Sequence, residues 1–298
     1  MNSRTAEPRL TNSVSPNLRH RALRRFLRNK TSVAAGIYLM VIILVALCAD
    51  LIAPYLYYEM SFDPALAPSL NHPMGTDEFG RDLFSRVVYG ARVSIMVGFF
   101  SQIAVLVIGI IIGGIAGFFG NAFDTILMRI TDVQFTFPPM LLALILLGTV
   151  VSRSVVSIII VIAVTSWPTM ARLVRSQVLA IKQKAYVDAA RIYGAGPFRL
   201  LYRHTLPNIA GPIIVLATFG IADAIMIEAF LSFIGLGTPP PTPSWGGLLN
   251  ASFPWIRTQP SMMVFPAVAL ASTLIAINLA GDGIRDSLDS KSGRFAPM

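Results

Sequence analysis

Residues 186–208, YVDAARIYGAGPFRLLYRHTLPN, are charged, basic and rich in turn formers, yet long apolar runs lie on either side of them. A chain reads this way where it leaves lipid and returns to it. Upstream, residues 154–171 contain no Asp, Glu, Lys or Arg; downstream, 209–235 are interrupted only by Asp223 and Glu228. Further uncharged runs cover 31–49, 93–123, 133–152 and 258–281. Each reaches the roughly 18 to 20 residues that cross a hydrocarbon core. Six membrane-spanning helices are expected, and the fold class is all-α, a polytopic membrane protein. The composition agrees, with 13% charged residues against about 25% in an average soluble domain. Six spans in 298 residues leave little room for a soluble domain.

The first apolar run follows a tail of about 30 residues and continues through AAGIYLMVIILVALCADLIAPY without a small-residue cleavage site, so it reads as a retained helix. Cys48, the single cysteine, lies in that run as a small apolar filler, and no intrachain disulfide is possible. With the N-terminus in the cytoplasm, all Lys and Arg except Arg81, Arg86, Arg92, Arg153 and Arg257 fall on the cytoplasmic side. That is the positive-inside bias, and it puts residues 186–208 in the cytoplasm, between the fourth and fifth helices. The net charge of +9 reads as orientation and attraction to anionic headgroups rather than nucleic-acid binding.

Residues 1–16 are polar and expected to be disordered. From Pro16 onward, Leu18, Leu23, Phe26 and Leu27 share a face opposite a crowd of arginines, which fits an interfacial helix or a plain positive anchor. The outside connection SFDPALAPSLNHPMGTDEFGRDLFSRVVYGARVS is too polar for lipid and too long for an idle turn. Within it a short surface helix over 77–88 is expected, capped by Thr76. His72 with Asp77 and Asp82 lacks a metal-ligand spacing, so no metal is expected. Gly109, Gly113 and Gly117 form a groove for close helix approach, read as packing within the subunit ahead of a dimer contact. Pro138 and Pro139 should bend the third span. Asp223 and Glu228 are separated by about 140° on a helix; a packing or substrate-cavity role is favoured over a proton relay. The kinked loop SFIGLGTPPPTPSWGGLLN ends in Trp245, suited to the headgroup level or to a partner.

In the opening segment, Asp188 to Tyr193 should form a short helix that the glycines at 194 and 196 and Pro197 stop, a knob on the membrane surface that needs a socket. DAARIYGAGPFRLLYRHTLP resembles the EAA motif of ABC-importer permeases at Ala189, Ala190, Gly194, Leu206 and Pro207, with Asp188 in place of Glu and His204 in place of Ile. HPMGTDEFGRDLFSRVVYGARVS, RITDVQFTFPP, EAFLSFIGLGTPPPTPSWGGLL and NLAGDGIRDSLD are similar to the C-type permease subunit of dipeptide and oligopeptide ABC importers, a family that includes nickel-importing relatives. The resemblance spans about residues 20–290 and implies a type I ABC-importer permease fold.

The resemblance implies a transport subunit that is not an enzyme. Two ATP-binding subunits bind ATP and Mg, a homologous second permease completes the pathway, and an extracytoplasmic substrate-binding protein delivers cargo. The short cytoplasmic helix would dock in the ATPase, with Asp188, Ala189, Ala190, Gly194, His204, Leu206 and Pro207 as the docking set. The chain itself has no G-x-x-x-x-G-K-[ST] phosphate loop. The implied organisation is a basic tail (1–30), a first transmembrane helix (31–56), an extracytoplasmic connection (57–92), a five-helix core (93–282) with a coupling loop (174–208), and a C-terminal tail (283–298). Both termini would be cytoplasmic, in a bacterial inner membrane. Asp223 and Glu228 are pathway or packing candidates; Arg81, Arg86, Arg92, Pro241 and Trp245 are candidates for contact with the binding protein or second permease. Peptide uptake is the leading function, a nickel or metal-chelate importer the alternative, and a lone proton-coupled transporter a more distant one.

Overall fold

The computed structural model describes residues 24–60, 63–150 and 153–288. The expectations for residues 1–16 and for the C-terminal tail beyond 288 fall outside them. Among the described residues the only β feature is an isolated bridge between Thr76 and Asp82. The principal helices are α1 (Lys30–Leu47), α2 (Ala49–Ile52), α3 (Leu83–Phe119), α4 (Asn121–Phe135), α5 (Pro139–Thr149), α6 (Val155–Lys182), α7 (Ala185–Ile192), α8 (Ala210–Phe233), α9 (Trp245–Ser252) and α10 (Ser261–Leu288). Helices α1, α3, α6, α8 and α10 are each long and apolar enough to cross a membrane. A sixth span is the pair α4 and α5, bent by 85°.

The third span differs from the expected 133–152. It begins at Asn121, where Gly120 at φ 68 ends α3, and the proline pair breaks it rather than bending it. Pro138 precedes another proline, so its backbone is driven out of the helical region to ψ 128, and α5 restarts with Pro139 in its first turn. Alone, the 11 residues of α5 extend only about 16 Å. Cys48, expected inside the first helix, sits instead at the cap between α1 and α2.

Helix α3 is the axis of the molecule. At 37 residues it is about 55 Å long, well beyond a hydrocarbon core of about 30 Å. Its closest partner is α6, and the glycine stripe makes that possible. A Cβ at Gly109 would overlap Met170, one at Gly113 the Ala171 carbonyl oxygen, and one at Gly117 would meet the Arg175 carbonyl. The stripe thus packs within the chain, as expected. Along α3, Val105 and Phe118 share a core with Met170, Val174 and Val178 of α6 and Ile213 of α8. Closer to its start, Val93 and Val97 pack with Ile158 and Ile162 of α6 and Leu147 of α5.

Two long helices contain an internal proline, and each freed carbonyl is answered from another element. Pro168 cannot donate to Val164, and Gln134 of α4 donates its side-chain amide to that oxygen. Pro266 likewise frees Met262, whose carbonyl accepts from Ser252 Oγ of α9 at 2.9 Å. Both repairs satisfy a backbone oxygen that would otherwise cost several kcal/mol in hydrocarbon. The first fixes the end of α4 beside the break. The second fixes α9 against α10.

The connection before α3 corrects another expectation. No separate helix spans 77–88, and Thr76 is not a cap: its hydroxyl accepts from Leu66 N at 2.8 Å and donates to the Asp63 carbonyl at 2.9 Å. The helix begins at Leu83, capped by Asp82, whose Oδ2 accepts from Ser85 N at 2.7 Å, and continues without interruption into the second span. The preceding loop is folded by buried charge. Asp77 accepts from Arg81 Nε at 2.7 Å and from the backbone N–H groups of Phe79 and Arg81, and pairs with Arg86 at 3.2 Å. His72 pairs with Asp82 at 3.0 Å and stacks on Tyr55.

Candidate coupling surface and pathway cavity

The segment after α6 lies at the Phe118 end of α3, because Lys182 Nζ donates to the Phe118 carbonyl at 2.6 Å. Trp245 lies at the other end, its indole N–H donating to the Val87 carbonyl at 3.1 Å. About 45 Å of helix separates Val87 from Phe118, so the two regions face opposite sides of the bundle.

Helix α7 spans Ala185–Ile192, three residues longer at its start than the expected Asp188–Tyr193 and one shorter at its end. Its single buried side chain, Val187, packs with Val178, Leu200 and Ile209, so the helix is seated on the bundle by one apolar anchor. It ends in a Schellman motif. Gly194 takes φ 81, its N–H reaches the Arg191 carbonyl at 3.0 Å, and Ala195 N–H reaches the Ala190 carbonyl at 3.1 Å. No atom blocks a Cβ at Gly194; the requirement for glycine is conformational. The chain returns through tight helical turns over 197–208, with Leu200 and Thr205 buried and Thr205 Oγ donating to the Leu200 carbonyl at 3.1 Å. Phe198 meets Phe119 edge-on at 5.8 Å. Behind this base, Arg175 grips Asp124 (Nη2 to Oδ2, 2.6 Å) and Arg172 pairs with Asp132 at 3.0 Å, tying α4 to α6.

The expected docking residues divide in two. Asp188 and Ala189 are exposed, Asp188 in a 3.3 Å pair with Arg191, and Pro207 is exposed in the last turn. Ala190 and Leu206 are partly buried and pack inward against the core, while the His204 carbonyl accepts from Asn208 Nδ2 at 2.6 Å. The outer surface is made largely by residues outside the expected docking set. Ile192 is 84% exposed, Tyr193 91%, Phe198 74% and Tyr202 78%. Their signal was in the sequence: large apolar residues flanking a helix-stopping glycine, in a segment outside the membrane, have no core to fill.

The outside candidates fare differently. Arg81 and Arg86 are buried on Asp77, and Trp245 is 1% exposed, packed with Leu83, Val87, Leu248 and Met262. These three hold the chain together and offer no surface to a partner. Arg92 is partly exposed, donating to the Ala46 and Leu47 carbonyls and pairing with Asp50 at 2.9 Å; Pro241 is exposed.

The two acids of α8 also part company. Glu228 is fully buried and accepts from Ser232 Oγ at 2.6 Å and from Ser94 Oγ at 3.1 Å. Ser94 Oγ in turn accepts from the Trp245 N–H at 3.3 Å, so Glu228 is a packing group joining α3, α8 and α9. Asp223 instead lines a cavity of ≈ 360 Å³ between α3, α6, α8 and the break of α4 and α5. Gln102, Gln134, Thr165, Ser166 and Thr169 supply its other polar groups, and Val105, Phe135, Ile162 and Leu216 are among its apolar walls.

The bundle thus combines a broken span, a largely apolar cavity holding one acid with amides and hydroxyls, and a cluster of exposed apolar side chains at one end. Residues 109–294 match the family described as binding-protein-dependent transport system inner membrane component, and the chain belongs to it. Residues 17–73 match the N-terminal transmembrane domain of oligopeptide transport permease C. Among its relatives, the oligopeptide transport system permease protein OppC of Bacillus subtilis is 41% identical over 91% of this chain and 88% of its own. The glutathione transport system permease protein GsiD of Pectobacterium atrosepticum is 40% identical over 90% and 89%. The dipeptide transport system permease protein DppC of Alkalihalophilus pseudofirmus is 38% identical over 91% and 89%. The fold matches that of a chain in the inward-facing MetNI methionine ABC transporter, with a TM-score of 0.58 at 20% identity, over 70% of this chain and 98% of that one.

Proposed function

We propose that the chain is one of two permease subunits of an ATP-binding-cassette importer of the bacterial inner membrane, and that its cargo is peptide. The relatives' names support the cargo class, since they are oligopeptide, dipeptide and glutathione permeases. A homologous permease supplies the other half of the pathway, and a substrate-binding protein delivers the peptide from outside. ATP and Mg are bound by two separate ATPase subunits. The N- and C-termini lie in the cytoplasm, on the side favoured by the distribution of Lys and Arg.

The observation that carries this reading is the surface of residues 185–208. It combines a fixed base with four large exposed apolar side chains. Such a patch fits a cleft in a partner, and Tyr and Phe are suited to anchor there. When the ATPase dimer closes, a knob fixed to α6 by Val187 and to α8 through Ile209 moves both helices as a body. The residues that touch the ATPase are then Ile192, Tyr193, Phe198 and Tyr202, with Asp188, Ala189 and Pro207 beside them. Ala190, Gly194, His204 and Leu206 hold the knob in shape.

Reconstitution tests the whole reading. Proteoliposomes holding both permeases and both ATPases should accumulate peptide only with ATP and the binding protein. Peptide uptake by this chain alone, driven by a pH gradient, would contradict it.

A further inference from the structure

The cavity contains one charge. Asp223 lies about 20 Å along α8 from Ala210 and about 15 Å from Phe233, close to the middle of the span. A carboxylate at that depth costs several kcal/mol unless it pairs or faces a watery cavity. Glu228 is wrapped by hydroxyls. Asp223 has neither a hydrogen-bond nor an ion-pair partner among the described residues and is open to the cavity. No Lys, Arg or His lines that space; its remaining polar groups are amides and hydroxyls. Gln102 is held close beside the acid, its amide packed over Gly220, one turn before Asp223 on α8.

An unopposed carboxylate among neutral dipoles, at the mouth of a cavity whose walls are largely apolar, attracts a cation more strongly than it would on an open aqueous surface. The cavity volume lies within the range of small-molecule sites, about 300 to 1,000 Å³. The neutral groups around the acid suit the amides of a peptide backbone, which both donate and accept. We propose that Asp223 is the point in the pathway that receives the α-ammonium of a peptide in transit, while Gln102, Gln134 and Ser166 meet its backbone amides. The proposal rests on the peptide-importer reading above and adds to it the group by which the membrane subunit recognises cargo. A short-lived pair at this point lets a charged terminus cross the middle of the bilayer without crossing bare hydrocarbon.

The test uses the full complex of two permeases, two ATPases and binding protein in proteoliposomes. The probe is a mixture of alanine-containing di- and tripeptides with free amino termini, with uptake read by mass spectrometry against ATP hydrolysed. Asp223→Asn should lower peptide moved per ATP on the order of tenfold, the size of a lost hydrogen bond to a charged group. Asp223→Glu, which keeps the carboxylate, should restore it to within about threefold. Co-purification of the second permease should be the same for all three proteins. Equal uptake by the wild type and Asp223→Asn would overturn the proposal, as would equal damage by Asn and Glu. Loss of the second permease with Asp223→Asn would overturn it in favour of an ion pair between subunits. Wild-type complex that moves none of the peptides would instead sink the peptide-importer reading itself.

Discussion

The two ends of α3 solve opposite problems. At the Leu83 end the charged and aromatic groups are consumed within the chain: Asp77 holds Arg81 and Arg86, and Trp245 fills the space between α3 and α10. At the Phe118 end the backbone is equally well satisfied, by the Schellman motif and the turns over 197–208, yet Ile192, Tyr193, Phe198 and Tyr202 are left uncovered. At the first end the charged groups are spent inside the chain; at the second a cluster of large side chains stands clear of a fixed base. Charge-rich stretches do not mark a partner surface by themselves; large apolar residues left uncovered in a segment outside the spans are the better sign.

Four substitutions can break or sharpen that contrast. The largest effect should come from Asp77→Ala, which leaves two buried guanidinium groups without their carboxylate and should cost about 3–5 kcal/mol of stability. Thermal unfolding of the purified complex measures it, and an unchanged midpoint would mean the loop is not scaffolding. Tyr193→Asp should leave unfolding unaltered but weaken capture of the ATPase by at least about 2 kcal/mol, roughly thirtyfold, if the residue is an interface anchor. Gly194→Ala forces a Cβ into a left-handed backbone and should loosen α7 by about 1 kcal/mol, visible as faster hydrogen exchange of the backbone amides at positions 194 and 195. The smallest effect belongs to Arg92→Ala: its pair with Asp50 is solvent-exposed and contributes little, so the loss in unfolding free energy should stay below about 1 kcal/mol, from its bonds to the Ala46 and Leu47 carbonyls.

Much of the architecture was legible because the bilayer imposes it. Uncharged runs of span length located α1, α3, α6, α8 and α10, and the stop signal at Gly194 located the end of α7. The helix that Thr76 was expected to cap was misplaced because two residues compete for the cap. Thr76 and Asp82 are both good cap residues, and only the long-range bonds of Thr76 to Leu66 and Asp63 decide between them. The break at Pro138 was foreseen as a bend, because sequence shows the lost donors but not that Gln134 anchors the preceding turn to Val164. The site was half legible. Acids inside an apolar run announce themselves, but that Glu228 is enclosed by serines from α3 and α8 while Asp223 faces a cavity depends on which neighbours each meets.

The central claim is that residues 185–208 form a cytoplasmic knob seated in an ATPase. A cysteine pair tests it most directly: Tyr193→Cys in a Cys48→Ala background, oxidised in inside-out vesicles with an ATPase carrying a single cysteine in its permease-facing cleft. The account expects a disulfide-linked product of the two chains and labelling of position 193 from the cytoplasmic side only. Labelling of that position from the outside of intact cells, with no linked product in the vesicles, would contradict it.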